Sequence, residues 1–181
     1  MFARIFTALA EDADPPRRII IDSTYLKVHR TAAGLLQKRR PRRIGRAKGG
    51  LNSKLHVVCD RHARPVVLLL SEGQMSGHKG AGLLIAALPP ARELIADRGY
   101  GSDGFGAALE DLDIVPCIPS RRHRKHPHPH DSALHGQRHP IENLFAKLKD
   151  RRRTATRYDR CAAIFLGAVT LATIVILWLG K

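Results

Sequence analysis

Apolar residues fall into short blocks separated by charged stretches or by proline and glycine. The β-branched run at residues 19–21 has the length and type of a buried strand. Two further runs, 55–59 and 65–70, are joined by DRHAR and predict a hairpin. Residues 93–96 predict a strand that ends at Asp97, and 114–118 another, which Pro116 assigns to a sheet edge. Between the strands lie helix patterns. Residues 81–88 suit a helix stopped by Pro89 and Pro90, and 103–109 a shorter one. Residues 140–149 suit a helix with proline in its first turn. An amphipathic stub opens the chain and is closed by Pro15 and Pro16; an apolar helix at 161–180 ends it. Strands alternating with helices predict an α/β fold, a mixed sheet with flanking helices, in one domain over 1–181.

Charge changes this picture most. Lysine and arginine total 31 against 16 acids, a net +15, while 44% of residues are hydrophobic. The chain can build a core, so it is not a disordered basic tail, and it attracts a polyanion. Cys59, Cys117 and Cys161 are odd in number and widely spaced, which excludes a disulfide framework or a zinc finger. A reducing cytoplasm suits them. The start lacks a cleavage site and does not read as a signal peptide. The uncharged stretch 161–180 follows RRRTATRYDR, which could mark a tail anchor. Thr170, Thr173 and many small residues favour a buried helix instead, and no membrane partner is expected.

Three acids stand out on this basic background. Asp22 and Asp97 end apolar runs, and Glu142 sits on the predicted helix 140–149. An acid at a strand end is often only a turn former or a cap. Three together would repel one another, and a divalent cation relieves that repulsion. Mg²⁺ prefers a few carboxylates plus water and phosphate, a set suited to phosphoryl chemistry. Arg138 lies four residues before Glu142 and Lys149 seven after, which at helical pitch brings both within about 40° of it on one face. Such cations can grip DNA phosphates. Pro140 could instead start the helix late and leave Arg138 at its mouth.

IIIDST, ELIADRGYGSD and RHPIENLFAKLKDRRRTATRYDR together resemble the catalytic half of bacterial insertion-sequence transposases of the DDE type, over nearly the whole chain. The most specific piece is a Tyr, Arg, Glu, Lys signature, carried here by Arg138, Glu142 and Lys149. His135 stands at the signature's tyrosine position, and Arg151 where an aromatic is common. The resemblance implies an RNase H-like fold and a metal site of Asp22, Asp97 and Glu142 using Mg²⁺ or Mn²⁺. It implies that DNA is cut at the element's end and that the freed 3′-hydroxyl attacks target DNA. It also implies an N-terminal DNA-recognition region outside this sequence, which would make the chain either a second-frame product with an upstream-frame recognition partner or a truncated copy, and action as a homo-oligomer on paired ends. The competing readings are a nuclease without strand transfer and a non-catalytic DNA-binding remnant.

The remaining motifs are weaker. Residues 30–50 read as a basic loop in which Arg39, Arg40, Arg42, Arg43, Arg46 and Lys48 would give salt-sensitive DNA affinity. Gly99, Gly101 and Gly104 match G-x-G-x-x-G, but no acid ends the next strand, so they read as a tight turn beside Asp97 and not as a dinucleotide fingerprint. His123, His126, His128 and His130 alternate in part with proline and, with Arg121, Arg122, Arg124 and Lys125, form a loop suited to phosphates.

Overall fold

The run at 19–21 opens β1 (Arg18–Val28), the strand around which the fold is built. The structure, a computed structural model, describes residues 2–11, 16–34, 42–120 and 130–179. Helix α1 (Phe2–Glu11) precedes β1, and a single helical turn, α2 (Arg30–Ala33), follows it. Next come β2 (Gly45–Ala47), β3 (Gly50–Asp60) and β4 (Pro65–Glu72). Then follow α3 (Gly77–Leu84), β5 (Glu93–Ala96), α4 (Asp103–Glu110) and β6 (Val115–Cys117). The chain closes with α5 (Ser132–Gly136), α6 (His139–Lys149), α7 (Arg152–Ala155), β7 (Thr156–Arg157) and α8 (Ala162–Leu177).

Seven strands make one mixed sheet in the order β2-β3-β1-β5-β6, with β4 also on β3 and β7 also on β1. β1 runs antiparallel to β3 and parallel to β5 and β7. On one side β1 pairs with β5 only over Arg18–Ile21 and with β7 only at Lys27 and Val28. Among the described residues no strand pairs with that edge over residues 22–26, which leaves a notch in the middle of the sheet beginning at Asp22.

Side chains alternate across a strand, so β1 feeds two cores. Ile20 and Leu26 join Leu55, Val57 and Cys59 beneath α6 and α8. Ile19 and Ile21 join Val58 beneath α3, α4 and Tyr100. Ile141, Leu144, Phe145 and Leu148 are the buried stripe of α6, at helical spacing. α8 spans 16 residues, about 24 Å at helical rise. Phe165, Val169 and Thr173 are fully buried on it. The hydroxyls of Thr170 and Thr173 donate to the carbonyls of Leu166 and Thr170 at 2.8 and 2.7 Å. Among the described residues no helix is long and apolar enough to cross a membrane.

Several elements depart from the sequence expectation. β1 runs through Val28, and β3 begins at Gly50 instead of 55. The expected loop 30–50 contains α2 and β2. The helix expected at 81–88 begins at Gly77 and ends at Leu84, followed by a tight turn over Ile85–Ala87. β6 lies at the sheet edge that Pro116 pointed to.

α3 starts early because of His56. This β3 residue is fully buried, and its Nε2 hydrogen-bonds with Ser71 Oγ at 2.9 Å. A Cβ at Gly80 would lie 2.1 Å from the ring, so only glycine lets α3 approach. Burial, and secondarily the Lys54 ammonium, pulls the imidazole from its ordinary 6.5 to about 4. The unfolded chain therefore binds the extra proton between pH 6.5 and 4. Stability is fully present above that window and falls as pH drops through it, by up to about 3 kcal/mol. The urea midpoint of the wild-type chain should fall between pH 7 and pH 4.5, and that of His56→Gln should fall less. Equal falls would assign the acid sensitivity to other groups.

Candidate active site

Asp22 lies at the head of the notch, opposite Val57 of β3. Its Oδ1 accepts the Ser23 N–H at 2.7 Å, and its side chain is 16% exposed. Ile21 pairs with Ala96 of β5, so Asp22 and Asp97 are the next positions on neighbouring strands, about 4.8 Å apart at sheet spacing. Asp97 then caps a single tight turn, its carbonyl accepting the Tyr100 N–H at 2.9 Å. Gly99 and Gly101 lie in and just after this turn, but neither they nor Gly104 has a positive φ, so backbone strain does not demand glycine there. At Gly99 a Cβ would lie 3.6 Å from Asp97 Oδ2, an ordinary contact.

Glu142 comes from the other side, in the first turn of α6. Arg138 is the N-cap of that helix, at its mouth. From there its fork spans two carboxylates. Nη1 donates to Asp22 Oδ2 at 2.6 Å, and Nη2 donates to Glu142 Oε1 at 2.6 Å. One guanidinium thus joins the first and third predicted acids across 120 residues of sequence.

The electrostatics place the second acid within reach. Burial raises the Asp22 carboxyl above its ordinary value. The Ser23 N–H and the Arg138 charge oppose that, and the Asp97 and Glu142 charges reinforce it. Asp22 therefore feels both other carboxylates.

The donor set is of the right kind for a hard divalent cation: carboxylate oxygens from within β1, from just past the end of β5 and from a helix. In the present arrangement, no group of three or more His, Cys, Asp or Glu side chains among the described residues is gathered closely enough to hold a metal. In this arrangement the Arg138 guanidinium lies between Asp22 and Glu142 and takes one oxygen of each. The three acids fit the group in chemistry, and Arg138 stands in for its charge.

The predicted cations divide. Lys149 is exposed in the last turn of α6, about 10 Å along the helix from Glu142. Arg46 and Lys48 are exposed on the β2–β3 hairpin. Gly50, at the base of that hairpin, lies seven positions before Val57, the partner of Asp22, or about 24 Å along β3. Arg42 and Arg43 are turned to the protein instead. Arg42 donates to the Ala33 carbonyl at 2.7 Å, and Arg43 pairs with Glu72 at 3.2 Å. The Arg43 carbonyl accepts the Ser53 hydroxyl at 2.6 Å. Arg39, Arg40 and residues 121–129, with most of the histidine-rich loop, lie outside the described residues. His135, at the signature tyrosine position, is on α5, and its carbonyl accepts the Arg138 N–H at 3.1 Å.

Three residues near the notch escaped sequence reading. Tyr100 is buried, and burial pushes its phenol well above the usual range, with the Ser23 hydroxyl a partial offset. Lys54 is buried on β3 beside an exposed Tyr25. Burial pulls the Lys54 ammonium down, and the Asp22 charge raises it. The available signal was SKLHVVCD, where Lys54 and His56 interrupt one face of an apolar strand.

Comparison with known proteins bears on this arrangement. A family profile described as "Transposase DDE domain" matches residues 13–177. A putative transposase for insertion sequence element IS402 of Burkholderia cepacia is 33% identical over 156 residues, covering 76% of this chain and 72% of that protein. The corresponding protein of IS6501 from Brucella ovis is 32% identical over 130 residues, covering 71% of this chain and 99% of its own. Among solved structures, a piggyBac transposase synaptic complex with hairpin DNA superposes with TM-score 0.56 at 11% identity over 91% of this chain. A simian T-cell lymphotropic virus intasome in complex with a PP2A regulatory subunit superposes with TM-score 0.54 at 16% identity over 90%. This chain spans 48% of each of those two chains. The fold is the RNase H-like one of transposases and integrases.

Proposed function

The chain belongs to the transposase DDE domain family, and from that premise we propose that it cleaves DNA at the ends of an insertion element and joins the freed 3′-hydroxyl to target DNA, with Asp22, Asp97 and Glu142 as its metal-holding carboxylates. The observation that carries this reading is the bridge from Asp22 through Arg138 to Glu142, with Asp97 at the adjoining strand position. Chemistry of this family depends on a divalent metal, and we assign it to Mg²⁺ or Mn²⁺ because every donor is a hard carboxylate oxygen. Such an ion, when bound, polarises the phosphodiester and lowers the cost of the attacking and leaving oxygens' charge.

The chain's own residues do the rest. Asp22 is held rigidly by the Ser23 N–H and by its place in the central strand. Glu142 is half exposed on its helix and can move toward the two aspartates. Arg138 balances the charge of Asp22 and Glu142, and its planar fork would suit a DNA phosphate presented at the same mouth. Lys149 lies on the same helix for the next stretch of backbone. Arg46 and Lys48, about 24 Å from Asp22, would meet the duplex roughly seven base steps away at 3.4 Å per step. Element ends and target are the proposed substrates, and a homo-oligomer, with an upstream-frame recognition product, would pair two ends.

The test is metal dependence. Supercoiled plasmid carrying an element end should be nicked by the full chain with Mg²⁺ or Mn²⁺, and chelation should abolish the nicking. Joined products should appear when a 3′-hydroxyl end and target are supplied together. Nicking that survives chelation, or none with either metal, would refute the assignment; nicking without joining would favour a nuclease.

A further inference from the structure

Lys54 has no ion-pair partner among the described residues, and the charge it feels most is that of Asp22, across the sheet. The Lys54 side chain stems from β3 opposite Tyr25 of β1, and the residue is only 8% exposed. An ammonium carries three N–H donors. One is used, donating to the Met75 carbonyl at 3.0 Å, and the Tyr25 ring centroid lies 5.2 Å from the nitrogen. Among the described residues no carboxylate forms an ion pair with it. Its neighbour on the same face, His56, is neutral above about pH 4 and supplies no charge. Burial lowers the ammonium from its ordinary value, and one carbonyl, one ring and the Asp22 charge offset that cost only in part.

Tyr25 is odd in the complementary way. It is a large aromatic side chain on the central strand, yet 49% exposed. Lys54 covers part of its ring and the remainder is open. Tyr25 sits where β1 has no strand partner on the notch side, three positions beyond Asp22 and so about 10 Å along the strand, and Lys54 is its neighbour on β3, across the paired edge. Asp22 and Tyr25 face opposite sides of the sheet by alternation. A polymer rounding the unpaired edge would meet both, and 10 Å is about three steps of a DNA strand.

We propose that Lys54 and Tyr25 form a nucleotide subsite beside the carboxylates, in which the Lys54 ammonium takes a backbone phosphate of the DNA and the open part of the Tyr25 ring takes an unpaired base. The subsite rests on the transposase reading. The phosphate is the missing ion-pair partner, and stacking on an aromatic face is tolerant of sequence.

The experiment is fluorescence anisotropy of a labelled duplex with a short single-stranded extension, across a NaCl series, using the full chain without metal. Lys54→Met should weaken binding roughly tenfold at low salt and reduce the slope of log affinity against log salt by about 1, one phosphate contact. Its melting temperature should stay level or rise, because an unpaired buried charge has been replaced by an apolar chain. Tyr25→Ala should weaken binding to the extended duplex more than to the blunt one, and Tyr25→Phe should bind as wild type. A Lys54→Met protein that binds with unchanged affinity and slope, or that only melts earlier, overturns the phosphate contact. Equal losses on blunt and extended DNA for Tyr25→Ala overturn the base contact, and this exposed position keeps the test available should Lys54→Met fail to fold. Wild-type chain that binds no DNA at all would instead remove the transposase reading, and the subsite with it.

Discussion

Asp97→Asn should slow metal-dependent nicking roughly a thousandfold, about 4 kcal/mol of lost transition-state stabilisation, while DNA binding and melting temperature stay close to wild type. The separation follows from how the two aspartates are held. Asp22 accepts the Ser23 N–H and the Arg138 fork, so changing it also frees a half-buried guanidinium. Among the described residues no hydrogen bond reaches the Asp97 carboxylate, and it acts through its charge, on Asp22 and Tyr100. An amide keeps the shape and removes the charge that a hard cation needs. The remaining carboxylates should then bind a cation more weakly, and higher Mn²⁺ should restore only part of the rate. Relaxation of supercoiled plasmid measures the rate, and anisotropy and thermal melting supply the controls. An Asp97→Asn chain within tenfold of wild type would mean that the notch is not the catalytic centre.

How much of this was legible depended on which force set each element. Strand cores and the place of Asp97 just past β5 could be read because apolar runs declare themselves locally. Asp22, read as ending a strand, lies within β1: Asp22 and Ser23 break the apolar run, and the ladder to β3 carries the strand on through Thr24 and Tyr25, which themselves favour strands. β2 is three residues of Gly-Arg-Ala and exists through its pairing with Gly50–Asn52. The start of α3, rich in glycine, is a poor helix by propensity and is fixed by the His56 ring. At the site, spacing alone placed Arg138 and Glu142 together, and Pro140 foretold that Arg138 would sit at the helix mouth. What spacing could not reveal is that Arg138 reaches Asp22 as well. Arg42 and Arg43 read as part of a free basic patch because charge runs carry no record of partners such as Glu72 or the Ala33 carbonyl.

Arg157→Leu should lower stability by about 3–5 kcal/mol, a large share of the 5–15 kcal/mol that holds an ordinary domain together. RRRTATRYDR reads as a solvated basic flank, yet Arg157 is fully buried within it. Replacing a buried ion pair by an apolar residue is often neutral, because both charges leave together. Arg157 is different, since among the described residues no carboxylate forms an ion pair with it, and the nearby Asp159 charge only partly offsets its burial. Nε donates to the Asp159 carbonyl at 2.7 Å, Nη2 to the Arg160 carbonyl at 3.0 Å and Nη1 to Ser53 Oγ at 2.7 Å. Leucine would leave the buried Ser53 hydroxyl without this donor and the partly buried carbonyls of Asp159 and Arg160 without theirs, at about 1–3 kcal/mol for each that water does not reach. It would also remove the guanidinium lying 5.2 Å from the Phe165 ring. Lysine should rescue little, because one ammonium cannot reproduce a planar fork directed at three acceptors. These bonds tie β7 to β3 and to the start of α8, and β7 closes the far end of the notch by pairing with Lys27 and Val28. Loss of Arg157 should therefore loosen the edge along which Asp22 and Tyr25 are presented, and binding and nicking should fall with it. Urea unfolding gives the measurement: a midpoint equal to wild type at unchanged m-value would mean that the backbone around Asp159 and Arg160 finds other donors, and that the fork is not what fastens this corner of the sheet.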